Sequence, residues 1–156
     1  MKNLTLKYVE TKVVFEEIPD KVSLAITISN CPFHCKGCHS EYLRQNIGKD
    51  LTTQEIDKMI KDNEGINCVL FLGDGLNTHQ LLVMSNHIKT DYPNISTAVY
   101  SGYDDILPEY RMFDYVKTGK YIEELGPLNK ETTNQRLYKL NEGEATDITY
   151  LFWKRK

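Results

Sequence analysis

No stretch of the 156 residues approaches a membrane-spanning apolar run. The formal net charge of −3 gives no general basic field for nucleic acid. Internal repeats, low-complexity tracts and Pro/Gly/Ser-rich linkers are also missing, so nothing divides the chain. A length of 156 residues with 40% hydrophobic content is enough to bury one core, and a single domain over residues 1–156 is expected. The opening Met-Lys-Asn-Leu-Thr lacks an apolar signal segment, which predicts a cytoplasmic, reducing setting and argues against a disulfide framework. The basic ending Trp153-Lys154-Arg155-Lys156 is short and reads as a solvated tail.

Cysteine is scarce as well, with four in all, but three fall within eight residues. The run Cys31-Pro32-Phe33-His34-Cys35-Lys36-Gly37-Cys38 has the spacing C-x3-C-x2-C, with no fourth cysteine nearby. Three thiolates suit a [4Fe-4S] cluster in which protein holds three irons and leaves one open for a ligand. A zinc site would want four ligands in two pairs, and His34, set between two thiols, would crowd as the fourth. His39 is a further candidate donor, or a residue packed beside the cluster. The bacterial ferredoxin order C-x2-C-x2-C-x3-C is absent. Cys68 lies in an apolar stretch and reads as a small core residue. Zinc or a redox switch remains the alternative to an open cluster.

Hydrophobic periodicity places these residues. Strands are expected at Val13 to Ile18 and Val22 to Ser29, separated by the turn Pro19-Asp20-Lys21. The second strand delivers Asn30-Cys31 from its C-terminal end. Thr52-Thr53-Gln54-Glu55 reads as a capping box before an apolar stripe of Ile56, Met59 and Ile60. Asn67 to Leu72 is a continuous apolar run of the kind buried on both faces. A helix follows over Thr78 to Asp91, then strands at Ile95 to Tyr100 and Phe113 to Lys117, with closing strands at Gln135 to Leu140 and Ile148 to Trp153. Alternating strands and helices predict an α/β fold with a largely parallel sheet. The chain is too short for eight βα units, so an open partial (β/α) barrel is expected. Chemistry in such folds gathers beyond the C-terminal strand ends. Asn30-Cys31, Gly73-Asp74-Gly75, Tyr100 to Tyr103 and Lys117 to Lys120 all fall there.

The cysteine spacing is the signature of the radical S-adenosylmethionine (SAM) enzymes, which the chain resembles. Within that group it is similar to the anaerobic ribonucleoside-triphosphate reductase activating proteins, small glycyl-radical activases. The likeness runs from about Val13 to the end. It is carried by Ile28 to Ser40, by Phe71 to Gly75 (F-L-G-D-G), by Val99 to Tyr103 (V-Y-S-G-Y) and by Tyr121 to Arg136 (Y-I-E-E-L-G-P-L-N-K-E-T-T-N-Q-R). The cysteine run is the most specific of these, and Tyr121 to Arg136 suggests the subfamily.

The resemblance implies a barrel of the radical SAM type and a definite reaction. Cys31, Cys35 and Cys38 would ligate the cluster, and one electron from it would split SAM into methionine and a 5′-deoxyadenosyl radical. That radical would abstract hydrogen from a glycine Cα of the partner, the large glycyl-radical subunit of the reductase. A flavodoxin or ferredoxin would supply the electron. Neither nucleic acid nor membrane enters the reaction. Gly73, Asp74 and Gly75 sit where the family has a glycine-glycine-acid turn that receives the SAM amino group. A gapless alignment puts Gly75 at the acid position, and a one-residue slip puts Asp74 there. Ser101 and Gly102 resemble the turn that meets the SAM carboxylate or ribose. Gly37 departs from the aromatic that commonly precedes the third cysteine, leaving a backbone contact to adenine. Asn134, Gln135 and Arg136 are candidates for SAM or partner contact, against a plain surface run, and Lys117 and Lys120 read equally as solvated. The alternatives are another glycyl-radical enzyme as partner, or a non-catalytic Fe–S or zinc redox-sensing module.

Overall fold

The computed structural model describes residues 6–29, 47–75 and 78–153. Its strands are β1 (Lys7–Val14), β2 (Ser23–Ile28), β3 (Lys49–Asp50), β4 (Cys68–Leu72), β5 (Ser96–Tyr100), β6 (Tyr115–Thr118), β7 (Arg136–Asn141) and β8 (Glu144–Asp147). They form one sheet in the order β3-β1-β2-β4-β5-β6-β7-β8. The helices are α1 (Thr53–Asp62) and α2 (Thr78–Asp91).

The expected open partial (β/α) barrel with a largely parallel sheet is overturned. Among the described residues the sheet is mixed and strand-rich, with two α-helices beside eight strands. Only β2–β4, β4–β5 and β5–β6 are parallel, whereas β3–β1, β1–β2, β6–β7 and β7–β8 are antiparallel. A parallel pairing needs a long crossover, usually helical. Here the β5–β6 crossover carries only a 3-10 turn, Pro108–Met112. The flanking strands return by hairpins and loops, which force the antiparallel direction.

The parallel centre follows from composition. All six residues of β2 (S-L-A-I-T-I) are buried, as are four of five in β4 (C-V-L-F-L). Alternation then sorts their side chains onto two faces. Leu24, Ile26, Ile28, Val69, Phe71, Val99 and Val116 share one core with Ile56 and Met59 of α1 and Leu81, Met84 and Ile88 of α2. Ala25, Cys68, Leu70, Ala98 and Tyr115 face the other way, against Ile18 and Leu128 from loops. Both helices therefore cover one face, and loops cover the other.

Several expectations match closely. Helix α2 has the predicted bounds, and the four central strands lie within about two residues of theirs. Thr52 caps α1, its Oγ1 accepting from the Glu55 amide at 3.2 Å. The second half of the capping box is diverted, because the Glu55 carboxylate accepts from the Tyr8 hydroxyl of β1 at 2.7 Å. The margins differ more. The first strand begins at Lys7, and residues 15–20 are bend and turn. The closing strand is Glu144–Asp147, while Thr149–Phe152 forms a 3-10 turn. Glu142 and Gly143 take φ of 52° and 82°, the two-residue hairpin turn that pairs Asn141 with Glu144.

Candidate functional site

Parallel pairing aligns Thr27, Leu72, Tyr100 and Lys117 in one row across β2, β4, β5 and β6. The residues that follow this row make a shared rim. Gly73 N–H donates to Tyr100 O at 3.1 Å, and Ser101 N–H to Lys117 O at 2.8 Å. Gly73, Asp74, Gly75, Ser101 and Gly102 are thus brought together from two loops. Residues 30–46, with Cys31, Cys35, Gly37, Cys38, His34 and His39, lie outside the described residues. Their described flanks are joined: Ser29 Oγ donates to Ile47 O at 2.6 Å, and Ser29 N–H to Lys7 O at 3.1 Å.

The glycine turn abuts those flanks. Gly73 has φ +122°, a conformation that side chains rarely adopt. A Cβ on Gly75 would come within 3.0 Å of Leu6 Cδ1 and 3.1 Å of Ile28 Cγ2, with Ser29 O at 3.8 Å. Backbone at the end of β4 therefore rests on the end of β2, one residue before Asn30.

Asp74 points inward between the two glycines and is 1% exposed. Its Oδ2 accepts from the Gly102 amide at 2.8 Å, and its Oδ1 from the Tyr110 hydroxyl at 2.7 Å. Tyr110 is itself fully buried, edge-on to Phe113 with ring centroids 5.4 Å apart. Burial, and then the charge of Asp74, push the Tyr110 phenol well above its ordinary pKa, so it stays protonated and donates. Nothing in the local sequence around Tyr110 pointed to this role.

The other side of the rim is also polar and buried. Lys117, on β6, is 7% exposed and donates from Nζ to Ser101 O at 2.9 Å and Gly119 O at 3.0 Å. The same ammonium lies 5.4 Å from the centre of the Tyr100 ring. Tyr100 donates its hydroxyl proton to Glu17 O, and burial holds that phenol far above its usual pKa. Gln135 is buried too and donates to Gly119 O at 3.2 Å. Lys120 is exposed, Asn134 Nδ2 donates to its carbonyl at 3.1 Å, and Arg136 pairs with Asp147 at 2.7 Å. Of the weaker candidates, only Lys117 and Gln135 join the rim from inside.

Comparison with known families bears on the metal chemistry of the chain. The family model of the 4Fe-4S single cluster domain matches residues 21–141. The chain belongs to that family. A 4Fe-4S cluster domain is therefore present, and iron–sulfur binding is the chemistry it carries. The cluster domain spans β2 to β7 and takes in Cys31, Cys35, Cys38, Gly37 and every rim residue above. No curated protein and no solved structure matches the chain.

The donor chemistry fits the group. Three thiols stand together in the matched span, each able to serve as a soft thiolate ligand of iron. Cys68, by contrast, is a free thiol with no exposure, which burial pushes up to about 11, so it is a core residue and not a thiolate. Among the described residues no three His, Cys, Asp or Glu side chains gather into a metal site, and no helix is long and apolar enough to cross a membrane.

Proposed function

We propose that this chain is a radical SAM activase that cleaves SAM reductively and generates a glycyl radical on the large subunit of an anaerobic ribonucleoside-triphosphate reductase. One observation carries the reading: a 4Fe-4S cluster domain whose C-x3-C-x2-C run leaves the end of β2 beside a glycine turn. Cys31, Cys35 and Cys38 would hold the cluster. When bound, the cluster supplies the electron that splits SAM into methionine and the deoxyadenosyl radical that takes hydrogen from the partner's glycine.

The chain's own residues bind and orient. Gly73 and Gly75 lack side chains where the turn meets the end of β2, which lets its backbone pack against Ile28, immediately before the residues that lead into the cysteine run in sequence. Ser101 and Gly102 form the neighbouring turn, for the SAM carboxylate or ribose, and Gly37 would supply a backbone contact to adenine. The face opposite α1 and α2 is the proposed side of access for a large partner: a cleft of about 410 Å³ lies there, lined by Glu16, Glu17, Tyr100, Leu128, Gln135 and Phe152 among others. The reaction belongs in a reducing cytoplasm, with a flavodoxin or ferredoxin as electron donor.

The test is anaerobic reconstitution with iron and sulfide, followed by dithionite and SAM and an assay for 5′-deoxyadenosine. Alanine at Cys31, Cys35 or Cys38 is expected to abolish cleavage, and Cys68→Ala to retain both iron and cleavage. Adding the cognate reductase should then give a glycyl-radical doublet by electron paramagnetic resonance. Cleavage with a radical on a different glycyl-radical enzyme would move the partner and leave the chemistry standing. A second reading, a non-catalytic Fe–S redox-sensing module, is favoured by the departure of Gly73-Asp74-Gly75 from the family turn. It predicts a brown, cluster-loaded protein that forms no 5′-deoxyadenosine.

A further inference from the structure

We propose that Asp74 is a positioning residue: together with Tyr110 it sets the turn at buried Ser101 and half-buried Gly102, whose accessible Gly102 backbone would meet SAM, and its carboxylate does not touch the ligand's ammonium. The ligand's identity rests on the radical SAM reading, whereas the contacts themselves do not.

Three observations converge. First, the Asp74 carboxylate is 1% exposed, with one oxygen committed to the Gly102 amide at 2.8 Å and the other to the Tyr110 hydroxyl at 2.7 Å. Each oxygen keeps a further lone pair, but at this burial neither presents it to solvent, so a ligand ammonium could not reach the carboxylate without opening the packing around it. Second, Tyr110 is 0% exposed and packed against Phe113 in the core, so its hydroxyl is fixed on the carboxylate and cannot itself meet a ligand. Third, the same turn is gripped from the opposite side. Lys117 Nζ donates to Ser101 O at 2.9 Å, and Ser101 N–H donates to Lys117 O at 2.8 Å. The turn even closes on itself, with the Tyr103 amide donating to Ser101 Oγ at 3.1 Å. Ser101–Gly102 is therefore suspended between a carboxylate from the end of β4 and an ammonium from β6. A turn held this way is pre-organised, which favours binding by reducing what must be ordered when a ligand arrives.

The test compares Asp74→Asn, Tyr110→Phe and the double variant. An asparagine keeps one acceptor oxygen, so it retains at most one of the two bonds, and phenylalanine keeps the ring packing while removing the O–H. A direct ammonium contact predicts that only Asp74→Asn weakens SAM. Positioning predicts that both single variants weaken SAM about three- to ten-fold, the loss of a buried hydrogen bond, and that the double variant is worse by less than the product. The KM for SAM should rise while kcat at saturating SAM holds, which simple loss of folded protein would not produce. Amide exchange at Gly102, followed by mass spectrometry of peptides spanning it in the cluster-loaded protein, should accelerate in both single variants while circular dichroism stays that of the parent. Unchanged SAM affinity and unchanged Gly102 exchange in Tyr110→Phe, with a loss in Asp74→Asn, would overturn the proposal. If the cluster-loaded parent binds no SAM, the radical SAM reading fails and the Gly102 exchange alone decides the positioning role.

Discussion

Asp74 and Asp147 accept the same kinds of bond in opposite settings. Each takes a main-chain amide and a hydroxyl: Gly102 and Tyr110 for Asp74, and both groups of Thr149, at 2.9 and 2.6 Å, for Asp147. Asp147 adds the Arg136 guanidinium at 2.7 Å, which also lies 5.4 Å over the Trp153 ring. Asp74 sits at the rim of the parallel centre with 1% exposure, while the Asp147 side chain, at the antiparallel margin, is 35% exposed. The partners of Asp74 are 28 and 36 residues away; those of Asp147 are 2 and 11 away. Water can replace a lost bond at the margin and cannot at the rim. The rim network therefore ties two loops to each other, and the marginal one trims a hairpin.

Removing each carboxylate should expose that contrast. Asp74→Ala leaves the Gly102 amide and the Tyr110 hydroxyl buried without an acceptor, and is expected to cost roughly 2–6 kcal/mol in denaturant unfolding, at about 1–3 kcal/mol per orphaned group. A loss below about 1 kcal/mol would mean that water reaches the rim. Asp147→Ala is expected to cost about 1 kcal/mol, since solvent screens a pair of this exposure. Equal losses at the two sites would break the comparison.

Acid provides a smaller perturbation of the marginal site. Burial alone would raise the Asp147 pKa, but the Thr149 hydroxyl and amide and then Arg136 outweigh it and hold the carboxyl below its ordinary value. A folded pKa below the unfolded one adds stability above the unfolded value, near 3.9, and that stability fades as pH falls through the folded value. The parent's unfolding midpoint should therefore drop more than that of Asp147→Asn between about pH 5 and pH 3. Parallel slopes would remove Asp147 from the account.

The smallest effect is expected where α1 meets α2. Asp57 accepts from the Tyr92 hydroxyl at 2.8 Å and pairs with His87 Nε2 at 2.8 Å, and the His87 bond first, then Tyr92, holds its carboxyl low. Its side chain is 41% exposed, so Asp57→Asn should shift stability by about 0.5 kcal/mol or less at neutral pH. A larger shift would show that this helix contact behaves like the rim.

Legibility in the sequence follows the same division. Periods of two and 3.6 residues were readable wherever one element buries a long regular pattern, which located α2 and the four central strands. The flanks were misread because Phe15 is apolar yet 65% exposed, and because Ile148 to Trp153 is apolar enough for a strand while the chain coils there into a 3-10 turn. The site divided likewise. Glycines at the strand ends were visible as turns, and Lys117 was visible as a lysine. Its burial, the engagement of Asp74 by Gly102 and the whole contribution of Tyr110 were not.

By itself the sequence determined the three-cysteine spacing, since that is a property of a local run, and it determined which segments form the parallel centre, since continuous apolar runs must be buried on both faces. Tertiary structure decided the direction of the outer strands, because pairing direction depends on how the chain returns and not on the composition of the strand. It also decided what Asp74 does. A carboxylate between two glycines has the same residues around it whether it faces a ligand or the core. Only the packing that brings the Gly102 amide and the Tyr110 hydroxyl to its two oxygens turns it inward.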